Sequence, residues 1–244
     1  MNEWDARTRL LLGEAGRERL RSSHVLIVGL GGVGSFAAES LARAGVGALT
    51  LVDGDRVEPS NLNRQLIALR STLGQPKVAV MARRIADINP ACRLTLVPDF
   101  IEPEGVSGLL APGYELVLDA IDTFSAKVAL LATALKRGQP ILSSMGAGGR
   151  LDPTRVQVGD LMDTRVCPLA RAVRLALRKQ GIGRGLTVVW SDEPPLSGII
   201  ARTGAQGPRA MRGTISFLPA LFGLMLAGVA IRHLLAAPVN SAHS

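Results

Sequence analysis

The stretch His24 to Ser35, HVLIVGLGGVGS, decides the fold of this chain. It joins a short, β-branched apolar run, typical of a buried strand, to a turn of glycines and then to a helical pattern that runs to Ala44. Gly29, Gly31 and Gly34 fit the spacing G-x-G-x-x-G. Glycine lets such a turn bend tightly and approach a phosphate, which the free N–H groups of the following helix attract.

Strand and helix patterns alternate downstream of this turn. Strands are predicted at residues 24–28, 48–52, 93–97, 116–118 and 141–144, with helices between them at 35–44, 77–88 and 126–136. Apolar strands separated by helices are typical of a parallel sheet that is covered on both faces. The sequence therefore predicts an α/β fold with a Rossmann-like, doubly wound, mostly parallel sheet.

We divide the chain into three parts of one globular unit. Residues 1–23 are predicted to be an N-terminal helical segment, 24–150 the nucleotide-binding core, and 151–244 a smaller, irregular C-terminal extension. The extension is predicted to hold strands at 156–158 and 187–190, a basic helix at 169–180 and a mobile loop at 203–213, and to follow a flexible joint at 146–149.

The composition is that of an ordinary globular protein. The chain has 244 residues, of which 47% are apolar and 20% charged, which excludes a disordered or low-complexity protein. Aromatic residues make up only 3%, which argues against base-stacking platforms. Cys92 and Cys167 form no CxxC pair, which excludes a disulfide framework and a cysteine-rich zinc site. We see no secretory signal at the start and expect a cytoplasmic protein.

Residues 214–231 lack any charged side chain across 18 positions, which is the lower limit for a membrane span. They contain Pro219, Gly223 and Gly228, so a buried core helix is the favoured interpretation. Peripheral attachment of this segment to a membrane surface stays open.

The positive charge is concentrated in one stretch. The whole chain carries +8, and residues 163–212 hold nine basic side chains against three acidic ones. A clustered excess of this kind attracts polyanions, of which nucleic acid is the commonest large one. The alternative is a solvated basic helix without a ligand.

Acidic and basic residues follow the glycine turn at informative positions. Asp53 ends the second strand, 19 residues after Gly34, where a carboxylate can accept hydrogen bonds from ribose hydroxyls. Arg64 and Lys77 are two cations near the strand ends, and two cations suit a triphosphate that an anion must attack. These residues predict an adenosine nucleotide site. The alternatives are a glycine turn kept for packing and two solvated surface charges.

Carboxylates end the fourth strand in the motif DAID. Asp119 and Asp122 can hold Mg²⁺ there, since this ion prefers oxygen ligands and substrate phosphates. The alternative for Asp122 is a helix N-cap.

Six motifs together resemble the ubiquitin-activating-enzyme-like adenylating family, which includes the activators of the molybdopterin and thiamine sulfur carriers. They are GLGGVG at 29–34, LVDGD at 51–55, NLNRQ at 61–65, GQPK at 74–77, INP at 88–90 and DAID at 119–122. The resemblance implies the Rossmann-like fold, with ATP and Mg²⁺ as the bound groups.

Further motifs resemble the branch of this family that dehydrates threonylcarbamoyladenosine in tRNA. They are RLLLGEAG at 9–16, AGGRLDPTRVQVGDL at 147–161, PLAR at 168–171, SDEPPL at 191–196 and GTISFLPALFGLMLAG at 213–228. This branch implies ATP-dependent cyclisation of N6-threonylcarbamoyladenosine at tRNA position 37. The alternative, activation of the C-terminal Gly-Gly of a sulfur-carrier protein, usually comes with a zinc site of two CxxC pairs, which this sequence lacks.

The resemblance also implies roles for individual residues. For ATP they are Gly29, Gly31, Gly32 and Gly34 at the phosphates, Asp53 at the ribose, Asp55 and Asn61 on the same wall, Arg64 and Lys77 at the phosphates, and Asp122 as the magnesium ligand. Arg64, Lys77, Asp122 and Arg7 are the implied catalytic residues. Arg7, or Arg9 if the alignment slips by two, would reach the ATP site of a neighbouring subunit, so a homodimer is implied.

The implied tRNA-binding residues lie in the basic stretch. They are Arg171, Arg174, Arg178, Lys179, Arg202, Arg209 and Arg212. A cysteine-desulfurase or sulfur-acceptor system is a further partner that the resemblance raises, without a residue signature in this chain. Cys167 stands where the family is expected to carry an acidic residue; a buried small residue at a helix start is favoured over a nucleophile for sulfur chemistry.

Two other functions share the glycine turn. A nicotinamide-dependent oxidoreductase needs neither the paired cations nor NLNRQ, and a non-catalytic nucleotide-sensing scaffold would not need Arg64, Lys77 and Asp122 together. We therefore favour adenylation.

Overall fold

The computed structural model describes residues 3–198, 200–202 and 210–236. The helices are α1 (Ala6–Ser22), α2 (Gly34–Ala44), α3 (Lys77–Ile88), α4 (Val106–Leu109), α5 (Phe124–Lys136), α6 (Pro168–Arg178) and α7 (Phe217–Ala236). The strands are β1 (His24–Val28), β2 (Ala48–Val52), β3 (Arg93–Val97), β4 (Leu116–Asp119), β5 (Ile141–Ser144), β6 (Val156–Asp160), β7 (Thr187–Ser191), β8 (Ile200–Arg202) and β9 (Ala210–Arg212).

Seven strands form one sheet in the order β3-β2-β1-β4-β5-β7-β6. All neighbours are parallel except β6 and β7, which pair antiparallel. The predicted α/β fold is confirmed, and β6 and β7 extend the same sheet beyond residue 150. The chain reverses its direction of travel across the sheet between β1 and β4, and ligands bind in the crevice at the carboxyl ends of the strands at such a point.

Helix α7 covers one face of the sheet and touches the start of α2. A side-chain Cβ at Gly223 would lie 2.3 Å from the carbonyl oxygen of Val33, so only glycine allows this close approach. Phe222 and Leu226 are buried in the same core cluster as α2. By length and composition, α7 is apolar enough to cross a membrane. Its buried face is that of the core helix that the sequence favours.

Two irregular segments are more ordered than expected where the structure describes them. The predicted mobile loop at 203–213 ends in β9, which pairs antiparallel with β8, while residues 203–209 lie outside the described part of the chain. The predicted joint at 146–149 is held in place, because the buried Arg150 side chain donates hydrogen bonds to the carbonyl oxygens of Gly146 and Gly148. The N–H of Gly149 donates to the carbonyl oxygen of Gly213 as well, at 2.9 Å.

Candidate nucleotide-binding site

The glycines of the turn between β1 and α2 serve different purposes. Gly29 has φ = +93°, and a Cβ there would lie 2.7 Å from the carbonyl oxygen of Ala120. A Cβ at Gly34 would lie 1.8 Å from the carbonyl oxygen of Gly29. Packing alone thus explains these two positions. At Gly31 the nearest atom to an added Cβ is the Nε2 of Gln65, at 3.8 Å, so the missing side chain leaves a cradle that a phosphate could fill.

Asp53 is tied to this turn. Its carboxylate accepts hydrogen bonds from the N–H of Leu30 at 2.6 Å and from the N–H of Asp55 at 2.8 Å. Burial raises the pKa of Asp53, while Lys77 and the two N–H donors act in the opposite direction. The carboxylate is therefore held rigidly beside the glycine turn, where a ribose would lie next to bound phosphates.

Lys77 begins α3 and is 4% exposed, so the alternative of a solvated surface charge is wrong for this residue. Its Nζ lies 2.6 Å from Asp55 Oδ2 and 4.0 Å from Asp53 Oδ1. Two carboxylates thus hold one ammonium group at the strand ends. A buried cation interacts with a phosphate far more strongly than a solvated one.

Arg64 approaches the turn from the other side. Its carbonyl oxygen would lie 3.3 Å from a Cβ at Gly32, and Pro219 at the start of α7 would lie 2.9 Å from the same position. Arg64 is half-buried as a residue, and its guanidinium donates to the Ser60 carbonyl oxygen at 2.8 Å. Asn61 shapes this loop, because its Oδ1 accepts the N–H of Glu58 at 3.1 Å.

The two carboxylates of DAID lie in different environments. Asp119 is buried against Lys127, at 2.7 Å, and accepts the hydroxyl hydrogen of Ser143, so it is a structural residue and not a magnesium ligand. Asp122 is exposed, and Thr123 stands at the N-cap position of α5, so the N-cap alternative for Asp122 is wrong.

In the described part of the chain, no three side chains of the His, Cys, Asp and Glu types gather as a metal site. A single carboxylate such as Asp122 still fits Mg²⁺, because this ion is commonly held by one or two carboxylates plus substrate phosphates.

Gln65 is a site residue for which the motif NLNRQ predicts no individual role. It is buried, and its Oε1 has no hydrogen-bond partner among the described residues. An unsatisfied amide beside Gly31 indicates a place for a polar ligand. Its position as the last residue of NLNRQ was the only signal in the sequence.

Some predicted site residues lie elsewhere. Arg7 is exposed on α1 and takes no part in the contacts given above for the glycine turn, Asp53 and Lys77. Arg171 and Arg178 are exposed on α6, and Lys179 is exposed at its C-cap. The first turn of α6 lies beside Gly146 at the carboxyl edge of the sheet.

The remaining basic candidates differ among themselves. Arg174 donates hydrogen bonds to the carbonyl oxygen and the hydroxyl of Thr164, at 2.8 and 2.7 Å. Its guanidinium therefore stabilises the segment before α6. Arg202 and Arg212 lie on β8 and β9, and Arg209 lies outside the described residues.

Both cysteines are buried. Cys167 is 2% and Cys92 8% exposed, and burial raises the pKa of the Cys92 thiol to about 11. A thiol withdrawn from the surface is poorly placed to act as a nucleophile. The structure thus favours the packing interpretation of Cys167.

The whole chain is similar to proteins of known family. The model of the ThiF family matches residues 6–244. A tRNA threonylcarbamoyladenosine dehydratase of Bacillus subtilis is 42% identical over 238 residues, which cover 94% of each chain. A crystal structure of the E. coli tRNA N6-threonylcarbamoyladenosine dehydratase in complex with ATP has a TM-score of 0.88 and 38% identity, covering 97% of this chain and 96% of that one. A molybdopterin-synthase adenylyltransferase of Salmonella typhimurium is 42% identical over 137 residues, covering 56% of this chain and 54% of its own.

Proposed function

The chain belongs to the ThiF family, and from this membership we propose that it is an ATP-dependent tRNA threonylcarbamoyladenosine dehydratase. The observation that carries the adenylation chemistry is the buried Lys77, held by Asp53 and Asp55 beside the glycine turn. Similarity to dehydratases over nearly the whole chain supports the tRNA substrate, since the molybdopterin-synthase adenylyltransferase named above matches only about half of the chain.

The reaction begins with the activation of a carboxylate. The threonyl carboxylate attacks the α-phosphate of ATP, and pyrophosphate leaves. The cations of Lys77 and Arg64 offset the charge of the phosphates, which otherwise repel the attacking anion. Mg²⁺, held by Asp122 together with the phosphates, would supply further charge neutralisation.

The second step needs no nucleophile from the enzyme. A nitrogen or oxygen within the same modified base attacks the acyl-adenylate, and AMP leaves. Because the two reacting groups belong to one molecule, proximity replaces a covalent enzyme intermediate. This agrees with two cysteines that are both buried.

The function is tested by incubating the protein with ATP, Mg²⁺ and either tRNA that carries threonylcarbamoyladenosine or a sulfur-carrier protein ending in Gly-Gly. We expect pyrophosphate and AMP to be released only with the modified tRNA, together with a loss of one water mass from the nucleoside. Turnover with the carrier protein alone would support the rival adenylyltransferase. Binding of NAD without ATP turnover would support an oxidoreductase.

We expect the exposed basic side chains of α6 and its C-cap to bind tRNA. The triple variant Arg171→Gln, Arg178→Gln, Lys179→Gln should weaken tRNA binding. It should also reduce the slope of the logarithm of the binding constant against log salt by about two to three units, because each lost phosphate contact removes about one unit. ATP affinity should stay within about twofold. The measurement is tRNA binding at several salt concentrations.

The control for this triple variant is Arg43→Gln, Arg83→Gln, Arg93→Gln, which removes the same charge from α2, α3 and the start of β3. Equal weakening of tRNA binding in both variants would show that net charge, and not α6, is responsible. Equal loss of ATP and tRNA binding would also contradict the assignment.

A homodimer is part of the proposal. Leu10 and Leu11 are 84% and 82% exposed on α1, close to Arg7, and adjacent leucines this exposed favour coverage by another chain. We expect the double variant Leu10→Asp, Leu11→Asp to sediment as a monomer and to lose turnover, since Arg7 would then not reach the neighbouring ATP site. Leu96→Asp, at an exposed leucine on β3, is the control and should remain dimeric. If the variant at Leu10 and Leu11 stays dimeric, this surface is not the dimer interface.

The proposed location is the cytoplasm, where the tRNA substrate is found, and the buried face of α7 supports it. Recovery of the protein in the membrane fraction would overturn this. The cysteine-desulfurase partner stays a prediction that co-purification with such an enzyme can test. Neither buried cysteine offers a surface thiol to receive sulfur.

A further inference from the structure

A buried ion pair lies below the candidate site, and the chemistry above does not use it. Lys127 Nζ is 2.7 Å from Asp119 Oδ2, and neither side chain is exposed. Lys127 stands in the first turn of α5, where the helix dipole disfavours a cation. Burial of the ammonium group costs desolvation free energy, and the helix dipole adds a second unfavourable contribution. The role of Lys127 must therefore lie in the groups that it holds in place.

Lys127 and Asp119 together fix one peptide unit on each side of Ile121. Lys127 Nζ donates to the carbonyl oxygen of Ile121 at 3.0 Å. Asp119 Oδ1 accepts the N–H of Ile121, also at 3.0 Å. The hydroxyl of Ser143 on β5 donates to Asp119 Oδ2 at 2.5 Å, which anchors the pair to the sheet. We call these three side chains, Asp119, Lys127 and Ser143, the Lys127 clamp.

The clamp acts on the turn that carries Asp122. On the other side of this turn, the N–H of Ala120 donates to the carbonyl oxygen of Val28 at 2.9 Å. The carbonyl oxygen of Ala120 lies against Gly29, 2.7 Å from where a Cβ would stand. The backbone that leads into Asp122 is therefore held between the glycine turn above and the clamp below.

We propose that the Lys127 clamp is a positioning device that holds the Asp122 carboxylate where it can share Mg²⁺ with the phosphates of ATP. Lys127, Asp119 and Ser143 touch neither ATP nor metal in this proposal, and they act through the backbone of Ile121. Partners that orient a metal ligand typically change metal affinity by about 10- to 100-fold when they are removed. The inference rests on the ATP chemistry of the proposed function but not on its tRNA substrate.

The test is calorimetric binding of ATP, with and without Mg²⁺, to the whole protein. Lys127→Met keeps the length of the side chain and removes the ammonium group. We expect the Mg²⁺-dependent gain in ATP affinity to be about tenfold smaller in this variant than in the wild type. The affinity for ATP without Mg²⁺ should stay within about twofold of the wild-type value. Wild-type Mg²⁺ dependence in the folded variant would overturn the proposal.

Two further variants separate positioning from stability. Leu130→Ala removes a buried side chain from the same helix and should lower the Tm without changing either ATP affinity, when measured below that Tm. If Lys127→Met does not fold, Asp119→Asn with Lys127→Met removes both charges and avoids a lone buried carboxylate. In this double variant the Mg²⁺-dependent gain in ATP affinity should also be about tenfold smaller than in the wild type, and a wild-type gain would refute the clamp.

The failure of this inference can be told from the failure of the proposed function. If the wild-type protein binds Mg²⁺ and ATP but does not consume ATP with modified tRNA, the function is wrong and the clamp is still testable. If wild-type ATP affinity does not depend on Mg²⁺, the clamp is overturned whatever the tRNA result.

Discussion

Lys77→Met is expected to slow ATP-dependent adenylation by about 10²- to 10³-fold, which is the usual loss when one preorganised charge at a transition state is removed. The ammonium group lies 2.6 Å from Asp55 and 4.0 Å from Asp53 in a buried position, so water screens it poorly. Its loss leaves the phosphates and the attacking carboxylate with uncompensated repulsion. The measurement is the single-turnover rate of pyrophosphate release with modified tRNA.

The control for this experiment is Lys136→Met, at an exposed lysine near the end of α5 whose Nζ donates to Gln180 Oε1. It removes the same charge from the protein, and we expect its rate to equal that of the wild type. Thermal unfolding of both variants checks that Lys77→Met has not simply unfolded. A folded Lys77→Met protein that releases pyrophosphate at the wild-type rate would show that the proposed chemistry is wrong.

Gly34→Ala is expected to abolish measurable ATP binding and to lower the free energy of unfolding by about 3 kcal/mol, at the upper end of the usual cost of overpacking. The new Cβ would stand 1.8 Å from the carbonyl oxygen of Gly29 and 3.2 Å from the Cβ of Ala120. Both the turn and the start of α2 must therefore move. For a chain of this size the loss corresponds to a drop in Tm of about 6–12 °C.

Gly108→Ala is the matched glycine variant, because nothing lies within 4 Å of a Cβ at this position in α4. It should change stability by less than about 1 kcal/mol and leave ATP binding intact. Differential scanning calorimetry and ATP titration measure both variants. Wild-type ATP affinity in Gly34→Ala would mean that the turn tolerates a side chain and that the close contact is not what shapes the site.

Much of the fold was predictable because its signals are local. A five-residue apolar strand, a glycine turn and an amphipathic helix follow one another within about twenty residues, and the same alternation repeats along the chain. In a parallel sheet the carboxyl ends of the strands meet at one edge, so Asp53, Arg64 and Lys77 could all be predicted to lie near that edge from the sequence. The irregular segments were less predictable, since Arg150 fixes the 146–149 turn through contacts that have no sequence period.

The sequence by itself determined the alternating architecture, the glycine turn and the acids and cations at the strand ends, because residue type and spacing are enough to encode them. Only the tertiary structure decided which glycine leaves room for a ligand and which one packs, since Gly29 and Gly34 lie against Ala120, a residue far away in the sequence that follows β4. It also decided that Asp119 is bound to Lys127 and Ser143 while Asp122 stays exposed. Two carboxylates three residues apart look equivalent in a sequence, and their environments differ only once the strands and helices around them have assembled.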